Sequence, residues 1–255
     1  VQILSSNLVQ NGDFSEEGLQ EVSNGSFTQE GVEQIVNGDF SNGSTDWIVN
    51  AGITITDKAN FNSVSGAYIS QDILTTGKSY KLTFDITDYT SGDLTIYGGA
   101  VNTISTGYSL NAVGSYTIYF VSGGLDNQIY FGNSFTGSID NVSVREVGQD
   151  WDFTSGATLT DIGAKITITP AAGIITQSSV LVVGKQYKLT YEITESISGG
   201  LRFDSAVDNT MVTSVGVHTK YFEADNTTVV FVRLSSSNND VTITNISVKE
   251  VGQNW

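Results

Sequence analysis

The sequence predicts an all-β protein, with two tandem antiparallel β-sandwich (jelly-roll) domains preceded by a short N-terminal β-arm. Three observations carry this reading. Trp47, Trp151 and Trp255 stand 104 residues apart each time, and the features between them return in the same order. Apolar and polar residues alternate with period two, which lines one face of a strand and not of a helix. Only 15% of residues are charged, so polarity comes from Ser, Thr, Asn and Gly. That composition suits strands with hydroxyl-bearing outer faces and many tight turns.

Taken in chain order, the first element is the arm, residues 1–34. Asn11-Gly12-Asp13-Phe14, Asn24-Gly25-Ser26-Phe27 and Asn37-Gly38-Asp39-Phe40 recur every 13 residues, with Glu17/Glu30 and Gly18/Gly31 in register. Asn-Gly is a strong turn signal, so each unit reads as a turn plus one short strand, too small to fold alone. Such units either pack on the first sandwich or on neighbouring chains, or form an attachment arm that adds a strand to another subunit.

The first sandwich is expected over 35–148 and the second over 149–255. In Tyr80–Thr87 the apolar set is Tyr80, Leu82, Phe84 and Ile86; the second copy keeps the split with Tyr187, Leu189, Tyr191 and Ile193. Each is a half-buried antiparallel strand, wet on one face. Further short strands are expected near 94–97, 115–121, 128–132 and 139–147, separated by Gly, Asn and Ser clusters. Pro170 falls in a turn between candidate strands. The run Val144–Trp151 returns as Val248–Trp255, and Trp151 follows Val147 with no Gly/Ser linker, so a fixed orientation of the two domains is expected. Trp255 reads as the first core residue of a third copy, and the chain as a segment of something longer.

The bulk numbers exclude several classes. Net charge is −16, which disfavours nucleic acid and anionic membrane as partners. There is no cysteine, hence no disulfide and no thiolate metal site. No apolar run approaches the roughly 18 residues of a membrane-spanning helix. The single histidine, His218, aligns with Tyr116 of the first copy and reads as a surface or edge residue, not a general base. No nucleophile elbow, phosphate loop or zinc-protease motif is present. Asp85 and Asp88 align with Glu192 and Glu195, so acidity is kept across the copies; a glycosidase pair would need one of these carboxyls to be buried.

Binding has more support than catalysis. The aromatics of outward parity in the first copy are Tyr97, Tyr119 and Tyr130, with Tyr108 in a loop. Exposed rings of this kind stack on pyranose faces; equally, they serve as sheet-face or inter-domain packing. The second copy keeps only Tyr221 of this set.

Ile35–Gly43, with a Trp four residues later, and the closing run Gly137–Val144 resemble the galactose-binding-like jelly rolls. The likeness is strongest to carbohydrate-binding modules of the family 4/9/16/22 type. The Glu-Val-Gly-Gln-Asp-Trp junction resembles tandem modules of bacteriophage fibre and other structural proteins. The resemblance implies a sandwich that needs no cofactor beyond a structural Ca²⁺, for which Asp39 and Asp140 would be the ligands. Thr244 stands where the first copy has Asp140, and no Asn-Gly-Asp-Phe run precedes Trp151. The function expected is a non-enzymatic structural or adhesive module of a virion or cell-surface appendage. Partners would be further copies or other appendage proteins, with cell-surface glycan as candidate ligand. The alternative is an accessory carbohydrate-binding module of a secreted polysaccharide-degrading enzyme.

Overall fold

A computed structural model describes residues 16–63, 65–100, 102–154, 156–168 and 172–252. The Asn11–Phe14 unit, Pro170 and Trp255 lie outside the described residues. Every described element is a strand, and no helix is long and apolar enough to cross a membrane. Two compact units form. Among the described residues, one takes Gln29–Gly148, and the other joins residues 16–28 with those from Gln149 to 252.

Two short strands, β1 (Glu17–Gln20) and β2 (Glu30–Glu33), come first. The first sandwich continues with β3 (Ile48–Val49), β4 (Ile53–Ile55), β5 (Ala59–Asn62), β6 (Tyr68–Asp72) and β7 (Ser79–Ser91). It closes with β8 (Thr95–Gly98), β9 (Gly114–Val121), β10 (Gln128–Gly132) and β11 (Thr136–Val147). Its two sheets run β4-β5-β11-β7-β9, with β2 also on β11, and β3-β6-β10-β8. The second sandwich repeats the plan with β12 (Asp152–Phe153), β13 (Ala157–Thr160), β14 (Gly163–Thr167), β15 (Ile174–Gln177) and β16 (Gln186–Ser198). To these it adds β17 (Leu201–Phe203), β18 (Gly216–Glu223), β19 (Val229–Arg233) and β20 (Asp240–Val251). The sheets are β13-β14-β20-β16-β18, with β1 on β20, and β12-β15-β19-β17.

The alternation read from the sequence decides what lies inside. Tyr80, Leu82, Phe84 and Ile86 are buried, as are Tyr187, Leu189, Tyr191 and Ile193. Phe84 packs edge-on against Phe131, and Trp47 lies between Phe40 and Phe131. Each long closing strand carries a bulge at an asparagine in the left-handed region, Asn141 (φ 52°) and Asn245 (φ 49°). Asn adopts that conformation more readily than most residues. Its side-chain amide then donates across the bulge, Asn141 to Asp85 at 2.8 Å and Asn245 to Glu192 at 2.7 Å.

The arm is divided between the two units, an arrangement the sequence reading did not contain. On β11, β5 pairs with Thr136–Ile139 only, which leaves the strand's second half without a neighbour on that side. β2 fills it, Arg145 opposite Glu33 and Val147 opposite Glu30. On β20 the same half-edge is filled by β1, Lys249 opposite Gln20 and Val251 opposite Glu17. An unpaired strand edge is both an unsatisfied row of amides and an aggregation template. Each of the two described short strands, β1 and β2, removes one such edge.

The chain after each short strand continues along the same long strand. Gln34 N–H donates to Val144 O and Glu21 N–H to Val248 O, at 2.9 and 2.8 Å. Val142 N–H donates to Gly38 O and Ile246 N–H to Gly25 O, both at 2.9 Å. The glycines are demanded by this approach, since a Cβ at either would lie 1.9 Å from the carbonyl oxygen of Val142 or Ile246. Phe40 then buries against Trp47 (centroids 5.2 Å) and Phe27 against Trp151 (5.4 Å). The run missing before Trp151 is therefore supplied from far upstream, by Asn24–Phe27.

Candidate functional site

Two buried glutamines hold the arms. Gln71 ends the buried part of β6, and its side-chain amide pairs with one backbone unit of the arm. Nε2 donates to Val36 O at 2.6 Å, and Val36 N–H donates to Oε1 at 3.1 Å. Gln177 on β15 does the same to Ser23, at 3.0 and 2.8 Å. Both glutamines are 4% exposed, so these amides have no water to replace the arm. The indole N–H groups are satisfied there too: Trp47 donates to Asn37 O and Trp151 to Ser23 O, each at 2.9 Å. Sequence reasoning missed both glutamines. The available signal was a polar residue of inward parity at the same place in both copies.

Charge marks the arms as well. Glu17 pairs with Lys188 and Lys249, while Glu30 pairs with Lys81 and Arg145. Hydrogen bonds from the two lysines hold the Glu17 carboxyl below its ordinary range. Glu21 is shifted the other way, raised by burial and by the nearby Glu250.

The tyrosines expected to form a ligand site are not all together. Tyr97 on β8 is paired directly with Tyr130 on β10, on the outer face of the four-stranded sheet. Tyr68 on β6, which the sequence reading did not single out, joins them. Its ring stands edge-on to both, at 5.6 and 6.0 Å. These three rings and Ala100 line an open pocket of about 320 Å³. Tyr119 lies on β9 in the other sheet, opposite Lys81. Tyr108 sits in the loop after β8, 43% exposed, and does not line the pocket.

The phenols have fixed partners. Tyr130 Oη donates to Asp126 at 2.6 Å, and Asp126 also accepts from the N–H groups of Ala100 and Gln128. Burial pushes the Asp126 carboxyl up, but these bonds outweigh it and hold it below its usual value. Burial, then the bond to Asp126, pushes Tyr130 up to about 12; burial, then a hydrogen bond with Tyr97, does the same to Tyr68. The pocket offers three aromatic rings and their hydroxyls, with Asp126 behind Tyr130 as its hydrogen-bond partner. In the second sandwich Ile174 and Val230 hold the registers of Tyr68 and Tyr130, opposite Val232 and Thr176, and the phenol cluster is not repeated.

Other expected site residues have structural occupations. Asp39 accepts from the N–H and hydroxyl of Ser41 at 3.2 and 2.9 Å, and Asp140 accepts from the N–H of Asn141 at 2.7 Å. Among the described residues no group of three or more carboxylate, imidazole or thiolate side chains is placed to hold an ion. Asp39 and Asp140 each engage groups within two residues of themselves in the chain. Asp85 is held by Ser115 and Asn141, and Asp88 by Lys58. The bond to Lys58 keeps the exposed Asp88 carboxyl below its ordinary range, the reverse of what a general acid needs. Glu192 and Glu195 repeat these roles with Asn245 and Lys165. The acidity shared by the copies therefore serves the bulge and an ion pair. His218 lies on β18 with its ring 5.4 Å from Tyr191 and Nε2 2.6 Å from Ser214 O. Tyr116 occupies the same seat against Phe84, bonded to Ala112 O.

No protein-family model matches this chain, and no curated protein matches it. Among solved structures it is similar to the N-terminal CBM22-1–CBM22-2 tandem domain of Paenibacillus barcinonensis Xyn10C. There the identity is 9%, over 88% of this chain and 99% of that one, with a TM-score of 0.32. It is also similar to the tandem CBM51 modules of Sp3GH98, the family 98 glycoside hydrolase from Streptococcus pneumoniae SP3-BS71. That match has 9% identity over 92% and 96% of the chains and a TM-score of 0.24. A chain of Sulfolobus Turreted Icosahedral Virus aligns at 14% identity over 80% of this chain and 58% of its own, TM-score 0.23. Superpositions this loose leave the β-sandwich assignment resting on the strand pairing itself.

Proposed function

We propose that the chain is a non-enzymatic structural and adhesive module of an extracellular or virion-surface appendage. Its first sandwich would contact a glycan through Tyr68, Tyr97 and Tyr130. One observation carries the ligand half of this reading: of two sandwiches with the same strand order, only the first bears three half-buried phenols around a pocket. Rings edge-on to one another leave open faces for the C–H side of a sugar, and Asp126 with the hydroxyls supplies hydrogen-bond partners. The structural half is supported by the repetition and by the engagement of the acidic side chains in bulges and ion pairs. The partners proposed are further copies or other appendage proteins. The charge of −16 opposes nucleic acid and membrane insertion.

The test is retention on a broad glycan panel. Tyr68→Ala and Tyr97→Ala should each abolish it, whereas Tyr119→Ala, on the other sheet, should leave it intact. A folded wild-type chain that binds nothing across the panel removes the ligand half. Sedimentation of the intact chain addresses the structural half, for which self-association is expected and a strictly monomeric species would count against it. The pocket equally supports an accessory module of a secreted polysaccharide-degrading enzyme. The two readings separate on the full reading frame: further repeats favour the first, a neighbouring catalytic domain the second.

A further inference from the structure

The three phenols of the first sandwich's pocket form a corner, not a platform. Tyr68 stands at 79° to both Tyr97 and Tyr130, with ring centroids 5.6 and 6.0 Å away. A platform for sugars needs rings that share one plane, and here a pyranose can lie on only one face at a time. A compact, rounded group suits the corner better. Two ring faces at right angles, each about 4 Å from a common point, have centroids about 5.7 Å apart, so a group seated there touches Tyr68 and a second ring together. Ala100, the remaining described lining residue, adds only a methyl group, and the cavity of about 320 Å³ is at the small end of ligand sites.

The charge around this corner has one sign. Among the described residues, none that lines the pocket is basic. Asp126 accepts from the Tyr130 hydroxyl at 2.6 Å and from the N–H of Ala100, and Asp72 is the other charged side chain acting on Tyr130. A phenol that donates to a carboxylate has a more electron-rich ring, and the faces of tyrosine rings attract cations. The net charge of −16 draws cations to the surface as a whole. A primary ammonium would have to leave its hydrogen-bonded water to enter an aromatic corner, whereas a quaternary ammonium has no N–H to satisfy. We propose that the pocket bounded by Tyr68, Tyr97 and Tyr130 takes a quaternary ammonium group of the choline type, carried as a substituent on a surface glycan. The ammonium follows from the pocket; its attachment to a glycan rests on the function proposed above. The second sandwich, with Ile174 and Val230 in the registers of Tyr68 and Tyr130, lacks these faces.

Titration of the intact chain with choline chloride at constant ionic strength, followed by NMR, tests the ammonium. The ring protons of Tyr68, Tyr97 and Tyr130 should move together, and ring currents should shift the choline methyl signal upfield. The neutral isostere of choline, with carbon in place of nitrogen, has the same shape without the charge and should bind about tenfold more weakly. Equal affinities for the two, or no response of these rings to choline, overturn the proposal on the wild-type chain alone. Tyr68→Leu should weaken choline binding about tenfold and Tyr68→Phe, which keeps the ring face, by less. Tyr119→Ala, on the other sheet, should not alter it. The carrier is read separately: a phosphocholine-substituted oligosaccharide should be retained better than the same oligosaccharide unsubstituted, and phosphatidylcholine vesicles should not be retained. Choline binding with retention by vesicles only would keep the ammonium and overturn its glycan carrier. Unsubstituted glycans bound through Tyr68, with no binding of choline, would overturn the ammonium and leave the glycan reading standing.

Discussion

Phe27 connects a residue near the start of the chain to a core built more than a hundred residues later, so truncating it tests the divided arm directly. Its ring is 6% exposed and sits 5.4 Å from Trp151 and 6.0 Å from Phe153. A ring burying roughly 150 Å² at about 25 cal/mol per Å² contributes about 4 kcal/mol. That lies within the roughly 3–5 kcal/mol expected for a buried Phe→Ala change. At about 3–4 °C per kcal/mol for a domain of this size, Phe27→Ala should lower the second sandwich's midpoint by roughly 10–15 °C. The first sandwich, closed by Phe40, should not move. Scanning calorimetry reads the two transitions, and hydrogen exchange assigns them. Amides of Ile246 and Val248, which bond the Glu17–Phe27 segment or its side chains, should lose protection while those of Val142 and Val144 keep it. Loss of protection in the first sandwich, or an unchanged midpoint in both, would refute the assignment of this segment to the second.

Glu21→Gln places in the second arm the residue that the first sandwich already has at Gln34. The folded pKa of Glu21 is raised, so its favourable contribution is present below the unfolded value of about 4.5 and is lost as pH rises through the folded value. At neutral pH the charge is a cost, and the variant should melt higher than wild type at pH 7, the gain shrinking to nothing near pH 4. Alkaline absorbance titration should show Tyr68 and Tyr130 ionising late, near 12, with Tyr187 and Tyr191 of the second sandwich also delayed by burial. Because Tyr68 and Tyr130 are raised, the first sandwich should lose stability between pH 10 and 12, and a Tyr68→Phe, Tyr130→Phe variant should lose less. Exhaustive EDTA treatment should leave both midpoints unchanged, whereas a drop in the first midpoint reversed by Ca²⁺ would make Asp39 and Asp140 ligands after all.

The sequence by itself determined the strands and their inner faces. Tyr80, Leu82, Phe84 and Ile86 could be assigned to the core because side-chain parity along a strand is a local property, fixed by the pleat whatever the partner. The repeat between the tryptophans likewise pointed to two copies of one plan, and the 13-residue spacing of Asn-Gly-x-Phe marked the arm's units. Which edge each unit completes was not local information. Gln20 reaches Ile246 across 226 positions, and nothing in the periodicity of either segment names the other. The two half-edges take nearly the same residues, so the choice between them is made by strand pairing and chain connection. The tyrosine pocket divides the same way: parity put Tyr97 and Tyr130 on one outer face. Only the neighbouring of β6, β10 and β8 brought Tyr68 to them and left Tyr119 on the other sheet.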